Sequence, residues 1–256
     1  MNPRKHYPDR PKAVYFFGTC LIDIFYPEAG MAGIQLIQRE GVRVSYPPDQ
    51  TCCGQPAYNS GYRDEAKAVA KAQIGLFSEG YPVVVPSGSC ASMMRHHWLE
   101  LFRGDPMFPV VQTLAERIFE LTEFLVRVLK LRLDDKGHPI RVALHTSCHS
   151  LREMGVAPDE KQLVDQLQHV ELVEHEHKHE CCGFGGVFSM KYPEISATMV
   201  QDKVAAIAAA EPNMVVSGDC GCLMNITGAL EYQGRSLPGQ HIASFLWERV
   251  NDQAGD

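Results

Sequence analysis

One cysteine pattern, written twice along the 256-residue chain, limits the fold more than any other feature. Cys52, Cys53 and Gly54 make a CCG triplet, and Cys181, Cys182 and Gly183 make a second. Cys20 stands 32 positions before the first doublet, and Cys90 stands 37 after it. Around the second, Cys148 stands 33 before and Cys222 stands 40 after. The flanking text repeats in step: VYFFGTC answers to VALHTSC, VVVPSGSC to MVVSGDCGC, and LTEFLVRVL to IASFLWERV. Matched order and spacing on this scale indicate an internal duplication. The join falls near RLDDKGHPI, a charged stretch with Gly137 and Pro139, which gives two CCG cysteine-rich lobes, residues 1–135 and 136–256.

The segments AVYFF, VRVSY, PVVV, RVALH, VELVE and MVVS are short, rich in β-branched or aromatic residues and bounded by turn formers, so they read as strands. Longer stretches between them carry helical periodicity. Ala66, Val69, Ala70, Ile74 and Phe77 share one helical face; Leu114, Ile118, Leu121, Leu125 and Val128 share another. Strands alternating with helices define an α/β fold class: two duplicated lobes, each a mainly parallel sheet with flanking helices. In each lobe the first and last cysteines come just after a strand, and the CCG doublet follows the middle strand by a short loop. The cysteines are therefore expected at the carboxyl ends of the strands, the edge where such sheets hold ligands.

What the thiols do depends on the compartment. The 24 Lys and Arg against 31 Asp and Glu leave a net charge of −7 with no basic run, which argues against a nucleic-acid partner. The opening MNPRKHYPDRPKAVYFFGTC lacks the apolar core of a secretory signal. No apolar run approaches the roughly 20 residues that span a bilayer. The expectation is a cytoplasmic protein with no integral membrane segment. A reducing cytosol keeps disulfides open, so nine clustered cysteines there point to metal or redox chemistry rather than to small buried hydrophobes.

Thiolates select zinc or iron–sulfur clusters. Zinc sites favour close-set pairs such as C-x2-C, because one tight turn aims both sulfurs at a single ion. Adjacent cysteines diverge, and suit two different irons of a larger cluster. A glycine after them admits a tight turn and brings N–H groups toward sulfur. Ligand type and spacing thus favour iron–sulfur over zinc.

On CCGQPAYNSGY, CCGFGGVFSMKYPEIS and CGCLMNITG the chain resembles the lactate utilization protein A family over nearly its whole length. More broadly it is similar to the cysteine-rich CCG domain proteins, which include the CCG-bearing polypeptide of heterodisulfide reductase and the iron–sulfur polypeptide of glycolate oxidase. The resemblance implies an iron–sulfur electron-transfer subunit of a system oxidising a hydroxy acid, L-lactate to pyruvate. The implied partners are a ferredoxin-like iron–sulfur protein and other subunits of that complex. It implies as ligands Cys20, Cys52, Cys53 and Cys90 in the first lobe, and Cys148, Cys181, Cys182 and Cys222 in the second. One or two [4Fe–4S] clusters per chain are expected. The fullest CCG pattern ends in C-x-x-C, where this chain has SGSC (Ser87 to Cys90) and DCGC (Asp219 to Cys222). Each lobe thus lacks one thiol of the five-cysteine version, with Cys220 available as a substitute in the second. Cubane and non-cubane clusters both stay open. Two other functions also stay open: a heterodisulfide reductase-like thiol–disulfide catalyst, and a zinc-stabilised assembly scaffold.

Other residues carry paired readings. Ser87 and Asp219 read first as helix caps, and otherwise as oxygen ligands or the walls of an open iron site. His145 and His149 flank Cys148, placed to hydrogen-bond a cluster sulfur, to move a proton, or to cap an element end. His175, His177 and His179 alternate before the second CCG and read as a solvated strand end among glutamates rather than as ligands. No G-x-G-x-x-G follows a strand and no G-x-S-x-G occurs, so neither a dinucleotide site nor a serine hydrolase is supported, and no catalytic residue is assigned.

Overall fold

The computed structural model describes residues 7–251; the first six positions of the first expected lobe and the last five of the second lie outside them. The first lobe runs β1 (Ala13–Phe16), α1 (Cys20–Phe25), α2 (Pro27–Arg39), β2 (Arg43–Ser45), α3 (Gln55–Asn59), α4 (Arg63–Ile74) and β3 (Val83–Val85). It continues through α5 (Gly88–Ser92), α6 (Trp98–Leu101), α7 (Phe108–Glu116), β4 (Ile118–Glu120) and α8 (Leu121–Glu123), which extends as a wider π-turn over Phe124–Val128. The second lobe runs β5 (Ile140–His145), a π-turn at Ser150–Met154, α9 (Ala157–Val164), β6 (Val170–Leu172), α10 (Val187–Lys191) and α11 (Pro193–Ala209). It ends with β7 (Met214–Ser217), α12 (Cys220–Tyr232), β8 (Gly239–His241) and α13 (Ile242–Val250). No helix among the described residues is long and apolar enough to cross a membrane.

Both four-stranded sheets are parallel throughout, in the orders β2-β1-β3-β4 and β6-β5-β7-β8. The α/β duplication expected from the sequence is thus present, and the strand order matches lobe to lobe. The strand that precedes each CCG is the second of its sheet in sequence but lies at the sheet edge in space. The order reverses between β1 and β3, and again between β5 and β7. A reversal of this kind leaves a crevice beyond the carboxyl ends of the two strands, because the connections depart to opposite faces.

Side chains sort by the two-residue period of the strands. Val14 and Phe16 join Val84 and Phe119 on one face of the first sheet, where they share a core with Val142 and Val216 of the second. Tyr15, Phe17, Val83 and Val85 turn the other way, onto α4 and α5–α7. The helices between the sheets are exchanged. α13, which closes the second lobe, packs on α2 of the first, and α8, which closes the first, packs on α9 of the second. The ion pair between Arg127 and Asp159, at 2.7 Å, ties the latter contact. The joining stretch is held by Arg249, which pairs with the buried Asp135 at 2.6 Å.

Three sequence expectations change. The apolar positions Leu114 to Val128 do not lie on one helix: α7 stops at Glu116, and Ile118–Glu120 pairs with β3 as a strand. Ile118 is buried in either arrangement, so spacing alone does not separate a continuous helix from a helix–strand–helix. β4 and its counterpart β8 were absent from the expected strands for the same reason: each is three residues long and is defined by its neighbour. The His175–His179 segment is a turn rather than a strand end. His177 is exposed and pairs with Glu180, as the solvated reading anticipates, whereas His175 is buried against that reading.

Candidate metal centre

Each parallel strand ends by releasing the chain into a helix start, and the cysteines occupy those starts. Cys20 opens α1 after β1, with Thr19 as the cap; its side chain accepts from the Ile22 N–H. Cys90 lies in the first turn of α5 after β3, and Cys148 begins the turn after β5. Cys220 and Cys222 lie in the first turn of α12 after β7. The two CCG doublets sit in the loops that follow the edge strands β2 and β6.

The glycine of each triplet is required by geometry. Gly54 has φ +88° and Gly183 has φ +86°, a region that side-chain-bearing residues rarely occupy. A Cβ on Gly54 would stand 3.1 Å from the Ala66 carbonyl oxygen of α4, and one on Gly183 would stand 2.7 Å from the Ser196 oxygen of α11. The same turns aim the Gly54 N–H at Cys52 Sγ and the Gly183 N–H at Cys181 Sγ, each at 3.4 Å.

The sulfurs gather. Cys20 and Cys52 Sγ are 4.0 Å apart, and Cys53 and Cys90 Sγ are 3.4 Å apart. In the second lobe Cys148 contacts Cys181, and Cys182 contacts Cys222. All nine cysteines of the chain line one cavity of about 160 Å³ at the seam between the lobes. The thiols share its walls with Phe184, Ile22 and Leu21 and with polar residues that include Gln55, Asn59 and Asp219.

Charge is placed in the same way twice. The hydrogen bond from Cys20 pulls the Cys52 thiol down to about 3, and that from Cys148 pulls the Cys181 thiol down to about 2. Their partners move the other way. Cys20 and Cys148 are raised by those same bonds and by burial, while Cys53 and Cys182 are raised by their bonds to Cys52 and Cys181. One thiolate per lobe thus collects its neighbours' hydrogen bonds. Groups of close thiols with no disulfide, and with amide donors at the sulfurs, fit a sulfur-ligated metal group.

Comparison with known proteins places the architecture. The cysteine-rich CCG domain model matches residues 14–95 and again 142–227. Lactate utilization protein A 2 of Bacillus cereus (strain AH820) is 41% identical over 240 residues, covering 93% of this chain and 99% of that protein. Lactate utilization protein A of Geobacillus kaustophilus (strain HTA426) is 44% identical over 236 residues, covering 91% and 98%. This chain belongs to the lactate utilization protein A family. Among solved structures, a hypothetical protein from Helicobacter pylori superimposes with a TM-score of 0.68 at 11% identity. That match covers 98% of this chain and 51% of the other, and it shows the fold alone.

In this member of the lactate utilization protein A family, the positions that depart from C-x-x-C have a definite place. Ser87 Oγ accepts from the Cys90 N–H at 3.3 Å, and Asp219 Oδ1 accepts from the Gly221 N–H at 3.2 Å, so both cap their helices. They also meet across the seam. Ser87 Oγ donates to Asp219 Oδ2 at 3.1 Å, and the Ser89 N–H donates to the same oxygen at 3.2 Å.

Cys220 is buried, and the charges within its reach include Glu28 and Cys90 of the first lobe besides Cys222. It stands between the lobes rather than in the second alone. The signal was in the spacing, since residues two apart on a helix point about 200° from each other. At the matching place in the first lobe stands Gly88, where a Cβ would come within 2.1 Å of Ser150 Oγ.

The histidines separate. His149 Nδ1 lies 3.5 Å from Cys148 Sγ. His145, at the end of β5, is fully buried, and its ligating nitrogen lies within 4.8 Å of Cys182 and Cys222 Sγ. Burial pushes its imidazole down to about 3, which leaves it neutral.

Proposed function

We propose that the chain is an iron–sulfur electron-transfer subunit of a system that oxidises L-lactate to pyruvate. The observation that carries this reading is the convergence of all nine cysteines on one cavity at the lobe seam, in a chain whose close relatives are named for lactate utilization. The ligands would be Cys20, Cys52, Cys53 and Cys90 for one cluster, and Cys148, Cys181, Cys182 and Cys222 for the other. The ligand-bearing halves would divide between residues 135 and 136. Bound there, an iron–sulfur cluster supplies one-electron transfer. The chain's own part is to hold the sulfurs at the strand ends, to give each lobe's first doublet sulfur an amide donor, and to exclude water with Phe184, Ile22 and Leu21. A ferredoxin-like iron–sulfur protein would dock near the cavity mouth, and the compartment would be the cytoplasm.

The test is anaerobic purification with iron, acid-labile sulfide and zinc measured on one sample, followed by electron paramagnetic resonance of oxidised and reduced states. Brown protein with iron and sulfide in similar amounts, reducible by lactate when the partner subunits are added, is the expected result. Colourless protein with stoichiometric zinc would make the chain an assembly scaffold instead. Clusters that turn over only a disulfide substrate would make it a thiol–disulfide catalyst.

A further inference from the structure

The duplication allows each residue near the cysteines to be compared with its counterpart, and one pair differs in kind. VYFFGTC and VALHTSC align Phe17 with His145, each at the carboxyl end of the strand before the first cysteine. Phe17 is fully buried and packs with Phe77 and its neighbours in the outer core of the first lobe. His145 is equally buried at the equivalent position, yet neither Nδ1 nor Nε2 has a hydrogen-bond partner among the described residues. Burying a polar group without a partner costs about 1–3 kcal/mol, so an imidazole in a phenylalanine's place needs a compensating contact. Its ligating nitrogen, Cys182 Sγ and Cys222 Sγ lie within 4.8 Å of one another. The two sulfurs contact each other, while the ring makes no hydrogen bond to either, so the nitrogen faces the sulfur pair with its donor capacity unused. That is how donors stand around a metal. An imidazole ring nitrogen is a donor that both iron and zinc accept.

We propose that His145 ligates the metal group of the second lobe through a ring nitrogen in place of one of the four thiolates named above, so that this lobe binds with mixed nitrogen and sulfur donors while the first lobe binds with sulfur alone. The proposal rests on the iron–sulfur reading above for the identity of the group, but not for the ligation itself. Replacing a negatively charged thiolate by a neutral nitrogen donor raises a centre's potential, as in the histidine-ligated iron–sulfur centres. The second-lobe centre is therefore the more easily reduced of the two. Electrons entering at the first lobe would run toward it.

The experiment uses the full chain, anaerobically reconstituted with iron and sulfide, in wild-type, His145→Phe and His145→Cys forms. Pulsed electron paramagnetic resonance should show strong nitrogen hyperfine coupling in one centre, altered by 15N-histidine labelling and absent from both variants. His145→Phe copies the residue of the first lobe, and His145→Cys keeps a donor should the former fail to fold. In His145→Cys the more positive potential should fall toward that of the first centre. A second-lobe signal without strong nitrogen coupling, or one unchanged in both variants, would overturn the ligation. If no iron is taken up, the electron-transfer reading falls, and cobalt(II) decides the ligation separately. A ligand-field spectrum that differs between wild type and His145→Phe supports it, and identical spectra refute it.

Discussion

The two lobes are one scaffold with different chemistry at a few matched stations. Sheet order, the glycine turn of the CCG, and the single thiolate per doublet coincide. Three pairs do not: Phe17 and His145 beneath the doublet, Gly88 and Cys220 at the helix start, and Glu120 and His241 at the cap of the exchanged helix. The last two lie at the seam, where one lobe's residue meets the other lobe, and the first lies inside each lobe. The Gly88 backbone is pressed against the Ser147–Ser150 turn, whereas Cys220 fills the corresponding space beside α1. A duplicated scaffold can hold two similar groups while the seam makes them unequal, because each station there faces a different neighbour.

The comparison can be broken most directly at the doublets. Cys182→Ser should abolish the second-lobe signal and about half of the bound iron while sparing the first, with Cys53→Ser doing the reverse. Iron assay and electron paramagnetic resonance on both variants would show it. Loss of both signals in either variant would mean that the lobes share one group.

A smaller effect separates the two caps. Glu120 accepts from the Thr122 and Glu123 N–H groups and is pushed up to about 8 by burial and by Glu160. Its unfolded value is about 4.3. Its contribution is therefore whole below that pH and is lost as pH rises to about 8, a slope worth a few kcal/mol in all. His241 accepts from the Ala243 N–H and donates to the Pro86 carbonyl across the seam. Burial lowers it to about 4 from an unfolded value of about 6.5, so its contribution is whole above the latter and is lost as pH falls to about 4. Denaturant melts across pH should show that Glu120→Gln flattens the loss on raising pH from about 4.3 to 8, and His241→Gln the loss on lowering pH from about 6.5 to 4. An unchanged slope between about pH 4.3 and 8 in Glu120→Gln would refute the first assignment.

The glycines sharpen the comparison further. Gly183→Ala should cost more stability than Gly54→Ala, each on the order of 1–3 kcal/mol, because both force a left-handed φ but the former also drives a Cβ to 2.7 Å from backbone rather than 3.1 Å. Equal midpoints in chemical denaturation would show that φ alone sets the cost. The smallest effect belongs to the seam tie. Ser87→Ala should lose about 1 kcal/mol from the bonds to Asp219 and the Cys90 N–H, measurable as a shift in midpoint at constant denaturant slope.

The duplication, the α/β class and six of the eight strands among the described residues were legible in the sequence, because periodicity and turn formers are local properties of the chain. So was the placement of cysteines beyond strand ends, since a parallel sheet has only one edge at which its strands finish. The cap roles of Ser87 and Asp219 were legible too, as both residue types carry a short acceptor suited to a helix start. What was not local stayed hidden. β4 and β8 are strands only by virtue of β3 and β7. That nine cysteines from both halves face one cavity and that Asp219 reaches Ser87 were decided by the packing of α13 on α2 and α8 on α9, and that His145 lies near Cys182 and Cys222 was decided by the folding of the second lobe itself. Those exchanged helices bring two strand-end edges face to face, and no spacing along the chain encodes that approach.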